Sequence, residues 1–545
     1  MEANNDLNLK SPLLGSKNGE VNITIENDVV CGDGLDGQIG SDPFDPFGFL
    51  GVGSLQVPVL YTIDPFKNRT ARIEGVYEWV KMLVCLPVAL VRVVLFGLAL
   101  FIGYLATKVA LHGWVDRRDP MPRWRCRVMW VTRVCARCIL FSWGYHWIKR
   151  KGRPAPREIA PIVVSNHVSF IEPIFFFYEL FPTIVASDSH DSLPAVGTII
   201  RAMQVIYVNR TSPLSRKFAV DEIKRKASSD QFPRVLLFPE GTTTNGRSII
   251  SFQLGAFLPG YPIQPVAVRY PFVHFDQSWG HISLGMLMFR MFTQFHNFME
   301  VEYLPIVKPP ENQKENARRF AERTGYAIAS ALNVVQTSHA YGDVMLLMEA
   351  AEMKQENPSR FMVEMAEVES AYHISNQEAL DFLHMFLSMN PDNSGCVMLP
   401  DFTRVLRLKS CIFSEKIFAF LDVEKYGRIT FKQFLYGSLH VLKSPLFRHA
   451  CEVAFSSMST RDSYVSKQEF RDSVGLFVPN ISNDEVSDLF NMFDHDRDGK
   501  VSKDDFFDCL RRNPLLIAIF SPLLQDLSET NQREAAGVNR LNIIY

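Results

Sequence analysis

Residues 161–172 read Pro-Ile-Val-Val-Ser-Asn-His-Val-Ser-Phe-Ile-Glu, an apolar run that leads to a histidine, with a carboxylate five positions later. From 160 to 335, short apolar runs alternate with helical patterns, which is typical of an α/β domain. The runs predict strands at Pro161–Ser165, Thr183–Ala186, Val205–Val208, Val235–Phe238, Ile263–Val268 and Val301–Ile306. The intervening patterns predict helices at Glu172–Leu180, Val196–Met203, Ser215–Ala227 and Glu315–Leu332.

Polar clusters follow three of these predicted strands. Asn166-His167 ends the first strand, Asn209-Arg210 the third and Pro239-Glu240-Gly241 the fourth. Ligands of open α/β sheets bind outside the carboxyl ends of the strands. We therefore expect one site that draws on all three clusters.

His167 and Glu172 can meet if the histidine lies at a strand end and the carboxylate opens the next helix. The carboxylate would accept the Nδ1 proton and leave Nε2 free as a general base. Such a dyad suits the removal of a proton from an alcohol that attacks an activated acyl group. A structural pair is the alternative, because a histidine and a glutamate at this spacing are common.

Four sequence blocks in this region resemble those of the glycerolipid acyltransferases, which include the lysophosphatidic acid acyltransferases of bacteria and plants. The blocks are Asn166-His167 with Glu172 at the usual aspartate position, Val205–Arg210, Phe238–Thr242 and Ile263–Val266. The resemblance implies acyl transfer from acyl-CoA to the free hydroxyl of a lysophospholipid. It also implies a mixed sheet flanked by helices, with His167 as the general base and Glu172 as the acid that orients it.

The resemblance further implies a set of substrate-binding positions. Arg210 would hold the acceptor phosphate, a task that suits a bidentate guanidinium, and Pro265 would lie on the acyl-donor side. The implied binding residues are Asn166, Arg210, Phe238, Pro239, Glu240, Gly241, Thr242 and Pro265. Two departures stand out. Glu172 is one methylene longer than aspartate, which calls for a shifted backbone or a bridging water, and Gln253 replaces a basic residue often seen in the family.

The composition narrows the class of protein. The 545 residues are 47% apolar and 21% charged, with a net charge of −2. These values exclude a wholly disordered chain and a polytopic transporter, and they argue against nucleic acid as a partner. The nine cysteines are an odd, scattered set, which indicates reduced thiols rather than a disulfide framework.

The amino-terminal residues 1–75 carry eleven acidic and five basic residues without a sustained period, which predicts a disordered acidic arm. Asp42-Pro43-Phe44 and Asp45-Pro46-Phe47 repeat a three-residue pattern within it. Tandem motifs of this kind resemble short peptides that bind vesicle-coat adaptors, and a turn-rich linker is the alternative.

A membrane segment is predicted at 76–111. Met82–Thr107 contains one charge, Arg92, and as a helix its 26 residues are about 39 Å long, enough for a hydrocarbon core of about 30 Å. Pro87 and Arg92 leave three arrangements open, namely a tilted span, a hairpin within one leaflet and an interfacial helix. Residues 112–157, at the start of the predicted acyltransferase domain 112–335, hold twelve basic and two acidic residues, which suits anionic headgroups and places the rest of the chain in the cytosol.

A second apolar patch covers residues 282–298 with a single charge, Arg290. It is either a core helix or a surface that dips into the bilayer beside the acyl chain.

After a predicted helical linker at 336–380, residues 494–505 fit the calcium loop of an EF-hand. The predicted metal ligands are Asp494, Asp496, Asp498, Lys500, Ser502 and Asp505. An aspartate at the last position shortens the usual glutamate arm and shifts the preference from Ca²⁺ toward Mg²⁺. A weaker loop contains Asn390, Asp392, Ser394, Cys396 and Asp401.

Two further degenerate loops begin at Asp422 and Met458, so the four loops start 32, 36 and 36 residues apart. This period predicts two EF-hand pairs in an all-α region at 381–512, followed by a tail at 513–545.

The membrane segment, the acyltransferase blocks and the EF-hands together resemble the EF-hand-bearing lysophospholipid acyltransferases, and among these the plant lysophosphatidylethanolamine enzymes. The resemblance implies phospholipid remodelling with lysophosphatidylethanolamine, lysophosphatidylcholine and related acceptors. It implies an endomembrane location, in the endoplasmic reticulum, Golgi or late endosome. Acylation of lysophosphatidic acid in de novo synthesis and a calcium-binding membrane scaffold with an inactive acyltransferase fold remain the alternatives.

Overall fold

The computed structural model describes residues 45–51, 53–58, 64–114, 119–210, 212–280, 282–310, 315–407, 412–459, 463–478 and 481–524. The first of the two predicted adaptor motifs, Asp42-Pro43-Phe44, lies outside these residues, as does most of the predicted acidic arm.

A helical hairpin precedes the α/β domain. Its first helix, α1 (Val76–Leu111), packs along the second, α2 (Arg123–Ser142). The two helices approach closely at Gly103, where a Cβ atom would lie 3.2 Å from that of Cys135. Alone among the helices of the described chain, α1 is long and apolar enough to cross a membrane.

The charged residues in the first half of α1 face the protein. Glu78, Lys81 and Arg92 are all buried, and Arg92 donates hydrogen bonds to the carbonyl oxygens of Phe292 (2.9 Å) and Phe295 (3.1 Å). Because Arg92 is satisfied by protein carbonyls, it does not present an unpaired charge to lipid. In the structure the predicted membrane segment is one continuous helix that packs on α2 and contacts the domain along one face, and the choice among the three membrane arrangements stays a prediction.

The opposite face of the hairpin is apolar and exposed. It includes Leu83, Val84, Leu90, Val94, Phe101 and Leu105 on α1 and Trp124, Trp130 and Phe141 on α2.

A seven-stranded mixed sheet forms the centre of the domain and confirms the α/β prediction. The strands of this region are β1 (Ile148–Lys151), β2 (Ile162–Ser165), β3 (Thr183–Ser187), β4 (Ile206–Val208), β5 (Val235–Leu237), β6 (Ser248–Ile249), β7 (Ile263–Arg269), β8 (Met299–Tyr303) and β9 (Val335–Gln336). The sheet order is β1-β8-β7-β2-β5-β3-β4, with only β7 and β8 antiparallel, and β6 pairs separately with β9. The strand that precedes His167 is central, and all four of its residues are buried.

The helices of the domain cover both faces of the sheet. They are α3 (Ile171–Leu180), α4 (Val196–Ala202), α5 (Pro213–Ser228), α6 (Leu284–Phe292) and α7 (Ala317–Leu332). In the second apolar patch, Leu287 and Met291 are buried while Met286 and Phe289 are exposed. One side of that patch therefore packs into the core, and the other side adds to the exposed apolar surface of the hairpin.

The sequence does not predict β1, and the strand it predicts at β8 begins two residues too late. β1 consists of Ile148 followed by three basic residues that are exposed, so its composition carries no apolar run. It lies at the edge of the sheet, where charged side chains are tolerated and discourage further pairing.

The carboxyl-terminal half is helical. The predicted linker contains α8 (Tyr341–Glu352) and α9 (Met365–Tyr372). The EF-hand region contains α10 (Asn376–Ser388), α11 (Leu399–Val405), α12 (Ile412–Leu421), α13 (Phe431–Leu442), α14 (Phe447–Met458), α15 (Lys467–Phe477), α16 (Asn483–Phe493) and α17 (Lys503–Arg512).

Short antiparallel strands pair the EF-hand loops two by two. β10 (Cys396–Met398) pairs with β11 (Arg428–Thr430), and β12 (Tyr464–Ser466) pairs with β13 (Lys500–Ser502). The first and second loops therefore form one lobe and the third and fourth another, as the repeat predicts.

The predicted disordered arm is wrong for its last third. Phe47 is fully buried in the core of the EF-hand region, 4.8 Å from the ring of Phe420 between centroids. The carbonyl oxygen of Leu50 accepts a hydrogen bond from Ser444, and that of Gly53 lies 2.9 Å from His440 Nε2. The second adaptor motif, Asp45-Pro46-Phe47, is thus part of a core and is not available to an adaptor, which corrects that prediction.

The predicted tail is also part of the core up to Leu524. Residues 514–524 form a 3₁₀ segment in which Leu515 to Phe520 are buried. The ring of Phe520 lies against those of Phe493 and Phe506, which flank the fourth loop. The first lobe thus binds a segment from the amino-terminal side. The carboxyl-terminal segment packs against helices of both lobes, α12 and α13 of the first and α14, α15 and α17 of the second.

Replacement of Phe47 by alanine should destabilise the EF-hand region by about 3–5 kcal/mol, because it leaves a cavity in that core. The free energy of opening is measured by native-state hydrogen exchange of residues 376–458. The control is Tyr426→Ala, which removes an exposed aromatic ring from the same lobe. Equal effects of the two substitutions would show that the Phe47 contact contributes nothing.

Candidate active site and metal site

The turn between β2 and α3 brings His167 and Glu172 into direct contact. The Nδ1 atom of His167 lies 3.2 Å from Oε2 of Glu172, and the glutamate is completely buried. The carboxylate also accepts hydrogen bonds from the backbone N–H groups of Val168 (3.0 Å) and Ser169 (3.1 Å). The longer side chain thus reaches back over the first turn of its own helix, so the dyad needs no bridging water.

The imidazole is held by residues that follow β5. The ring of Phe238 stacks on that of His167 with 4.2 Å between centroids, and Glu240 Oε1 accepts the His167 backbone N–H at 2.8 Å. Within the described part of the chain, His167 Nε2 makes no hydrogen bond, and the side chain keeps 19% exposure. The arrangement fixes one ring nitrogen and leaves the other accessible.

Asn166 pairs with the neighbouring strand β7. Its Nδ2 donates to the carbonyl oxygen of Val268 (2.9 Å), and its Oδ1 accepts the Val268 N–H (2.8 Å). The side chain is fully buried and continues the ladder between β2 and β7 beyond the strand end. Both polar ends of the Asn166 amide are thus engaged with backbone, although the sequence suggests a substrate-binding residue.

Glu240 is also buried, and burial raises its pKa to about 8. The carboxyl is therefore largely protonated at neutral pH. Its hydrogen bond to the His167 backbone places it beside the turn between β2 and α3, whereas the resemblance implies a position on the glycerophosphate side.

Arg210 and Gly241 both lie beside Tyr341, at the start of α8. The guanidinium carbon of Arg210 lies 4.9 Å from the centroid of the Tyr341 ring. Gly241 has a φ of 73°, and a Cβ there would lie 3.9 Å from that of Tyr341. Arg210 is exposed, and no carboxylate of the described chain lies within ion-pair distance of it. The structure thus adds Tyr341, which the sequence pattern missed because it lies far beyond the four blocks.

The other predicted binding residues divide into two groups. Thr242 is half-buried after Gly241, and Pro239 accepts the Gln253 N–H through its carbonyl oxygen at 2.7 Å. Pro265 is buried inside β7, in register with Val164, three residues before His167. Its proposed place on the acyl-donor side stays a prediction.

The fourth EF-hand loop gathers three carboxylates. One oxygen atom each from Asp494, Asp496 and Asp498 lies within 4.8 Å of the others, and Gly499 makes the turn with a φ of 83°. Hard oxygen donors of this kind fit Ca²⁺ or Mg²⁺. Asp505 stays out of this cluster, because its carboxylate accepts the N–H and hydroxyl of Ser502 as a helix cap. Lys500 can offer a metal ion only its backbone carbonyl oxygen, because its ammonium is itself a cation. That ammonium lies over the Tyr464 ring.

The first loop is arranged differently. Asp392 Oδ1 accepts the N–H groups of Ser394 and Cys396, each at 2.9 Å, and Asp401 pairs with Arg404. Asn390 has a φ of 61°. Acidic groups of the first loop form no cluster within the described residues, since Asp392 satisfies its own loop.

Comparisons with known proteins agree with this geometry. Residues 148–269 match the acyltransferase family and residues 461–513 match an EF-hand domain pair. The chain is 63% identical over 490 residues to "Lysophospholipid acyltransferase LPEAT2" of Arabidopsis thaliana, covering 90% of both chains. It is 30% identical to "Lysophosphatidylcholine acyltransferase" of Drosophila melanogaster, covering 82% of this chain and 85% of the relative.

The fold and the histidine–carboxylate pair thus define an acyltransferase with an attached EF-hand region. The chain belongs to the lysophospholipid acyltransferase family.

The raised pKa of Glu240 makes stability depend on pH. The folded chain holds this proton up to about pH 8, whereas the unfolded carboxyl releases it near 4.5, so stability falls as pH rises between these values. Glu240→Gln keeps an oxygen acceptor for the His167 N–H but cannot titrate. The melting temperature of this variant should fall less between pH 5 and 8, as measured by calorimetry.

The control is Glu356→Gln, at an exposed position. If the wild type and Glu240→Gln lose stability in parallel across this range, Glu240 is not the titrating group.

Proposed function

We propose that this chain transfers an acyl group from acyl-CoA to the free hydroxyl of a lysophospholipid, with His167 as the general base. Nε2 takes the hydroxyl proton as the oxygen attacks the thioester carbonyl carbon. The C–S bond breaks when the tetrahedral intermediate collapses, and the imidazolium returns the proton to the departing thiolate. The observation that carries the proposal is the contact between His167 Nδ1 and the buried Glu172.

Glu172 has two tasks in this mechanism. It holds the neutral imidazole in the tautomer that leaves Nε2 without a proton, and it stabilises the imidazolium that forms during the attack. Two backbone N–H groups hold the carboxylate in place while it does so. An inactive scaffold would not need this arrangement, which favours the enzyme over that alternative.

Arg210 is the proposed ligand of the acceptor phosphate. Its guanidinium is exposed and stacked on Tyr341, beside the turn at Gly241, so its charge is available to an anion. The Arabidopsis relative is named a lysophospholipid acyltransferase and the Drosophila relative a lysophosphatidylcholine acyltransferase, which supports a lysophospholipid acceptor. We propose phospholipid remodelling, with lysophosphatidylethanolamine and lysophosphatidylcholine as acceptors in preference to lysophosphatidic acid.

The exposed apolar face of α1, α2 and α6 is the proposed membrane contact. Aromatic residues such as Trp124 and Trp130 suit the interface between lipid and water, and the basic residues of 112–157 suit anionic headgroups. We propose that the enzyme lies on the cytosolic leaflet of an endomembrane, in the endoplasmic reticulum, Golgi or late endosome. From there it takes lysophospholipid from the bilayer and acyl-CoA from the cytosol.

Replacement of His167 by alanine should lower acyl transfer by about 10²–10⁴-fold, because the general base is lost. The assay gives labelled oleoyl-CoA and lysophosphatidylethanolamine, lysophosphatidylcholine or lysophosphatidic acid to purified protein in detergent. His449→Ala, at an exposed position of α14, serves as the control. Equal transfer by His167→Ala and the control would remove His167 from the mechanism, and a preference for lysophosphatidic acid would assign the enzyme to de novo synthesis.

We also propose that the fourth loop binds Ca²⁺, with Mg²⁺ as a competitor. Asp494, Asp496 and Asp498 would provide the carboxylates and Lys500 a backbone carbonyl. Phe520 contacts residues on both sides of this loop. Ion binding that changes the angle between α16 and α17 would therefore also move the carboxyl-terminal segment.

Titration calorimetry should therefore show Ca²⁺ binding that Asp494→Ala abolishes and Asp392→Ala leaves intact. The structural reason is that Asp494 belongs to the cluster of three carboxylates, whereas Asp392 belongs to no such cluster among the described residues. Loss of binding in the Asp392 variant but not in the Asp494 variant would move the site to the first loop. Acylation measured with Ca²⁺ and with chelator then tests whether the ion adjusts activity.

A further inference from the structure

Two loops hold the carbonyl groups of the catalytic turn. The carbonyl oxygen of His167 accepts the Thr244 N–H at 2.7 Å, and that of Val168 accepts the Trp279 N–H at 3.1 Å. The position of the imidazole relative to bound substrate therefore depends on where these loops lie.

A short segment at residues 64–70, here called the strap, is hydrogen-bonded to the first of these loops at Asn245. The Asn245 N–H donates to the carbonyl oxygen of Pro65 at 2.7 Å. Its side-chain amide donates to the carbonyl oxygens of Asp64 (2.8 Å) and Lys67 (3.0 Å). Asn245 is buried, and three of its donor interactions go to the strap. Its neighbour in the chain is Thr244, which holds His167.

The same strap is also hydrogen-bonded to the second loop. The Asn68 side-chain amide donates to the carbonyl oxygens of Ser278 (2.6 Å) and Asp276 (3.1 Å), and Thr70 Oγ1 accepts the Asp276 N–H at 2.9 Å. The approach is close, because a Cβ at Gly280 would lie 2.9 Å from that of Asn68. Gly280 also has a φ of 48°, so this position suits glycine on both grounds.

We infer that the strap positions the catalytic turn by fixing both loops at once, with Asn68, Thr70 and Asn245 as positioning residues. The inference rests on the proposed function, since it assigns a role in the same reaction. None of the three residues takes part in the proton transfer. Their loss should therefore lower kcat, which depends on the placement of His167, and leave the KM values for both substrates nearly unchanged.

The experiment compares Asn68→Ala with the milder Thr70→Val, which removes one acceptor and keeps the shape. We expect a 10- to 100-fold lower kcat for Asn68→Ala and a smaller loss for Thr70→Val, with KM values within about twofold, because small misplacements of reacting groups are costly. Hydrogen exchange of residues 166–172 should accelerate in both variants. Phe47→Ala is the matched control, since it loosens the same amino-terminal segment at the EF-hand region, away from the turn.

The outcomes separate a positioning role from general destabilisation. If Phe47→Ala lowers kcat as much as Asn68→Ala at equal loss of melting temperature, or if exchange at 166–172 stays unchanged in both strap variants, the inference is wrong. If Asn68→Ala fails to fold, Thr70→Val decides by the same criteria. Should the wild-type protein acylate no lysophospholipid, the proposed function fails, whereas the exchange rates still show whether the strap holds the turn.

Discussion

The buried carboxylate of Glu172 is the constraint on which the catalytic half of the structure depends. A buried carboxyl group requires hydrogen-bond partners, and this one has them in two backbone N–H groups and an imidazole. Burial, with the charge of Glu172 as a second cause, also raises the pKa of the Tyr145 and Tyr270 hydroxyls nearby. The strand ends on either side of β2 then complete the turn, Asn166 joining it to β7 and Glu240 joining it to β5. His167 Nε2, by contrast, makes no hydrogen bond within the described chain, and its side chain keeps 19% exposure.

Much of this arrangement follows from the sequence because it is local. The strand before His167 is apolar on both faces, as a central parallel strand must be, and the fourth EF-hand loop carries its ligands within twelve residues. The sequence indicates that Asn166 and Glu240 belong to the site, but not that they hold backbone groups. A pattern of residue types contains no information on which way a side chain points once the strands have assembled.

The sequence does not predict that the strap and the segment around Phe47 are ordered, and the reason is different. Both lie in the arm 1–75, whose overall composition, rich in Gly, Asn and Asp, is that of a disordered chain. What orders them is contact with surfaces more than 170 residues away, such as the carbonyl oxygens of Asp276 and Ser278 that meet Asn68. Asp505 departs from expectation similarly, since it caps its own helix through Ser502 instead of joining the metal cluster.

The seating of Phe47 and Leu50 in the EF-hand region has a consequence for biosynthesis. The hydrogen bond between Ser444 and the Leu50 carbonyl joins residues 394 positions apart. At roughly 5–20 residues per second, a ribosome needs on the order of 20–80 s to travel that distance. The apolar hairpin therefore emerges, and meets a bilayer or a chaperone, long before the helices that receive Phe47 have been made. The docking of the amino-terminal segment is therefore a late step of folding, completed only after the first lobe has left the exit tunnel.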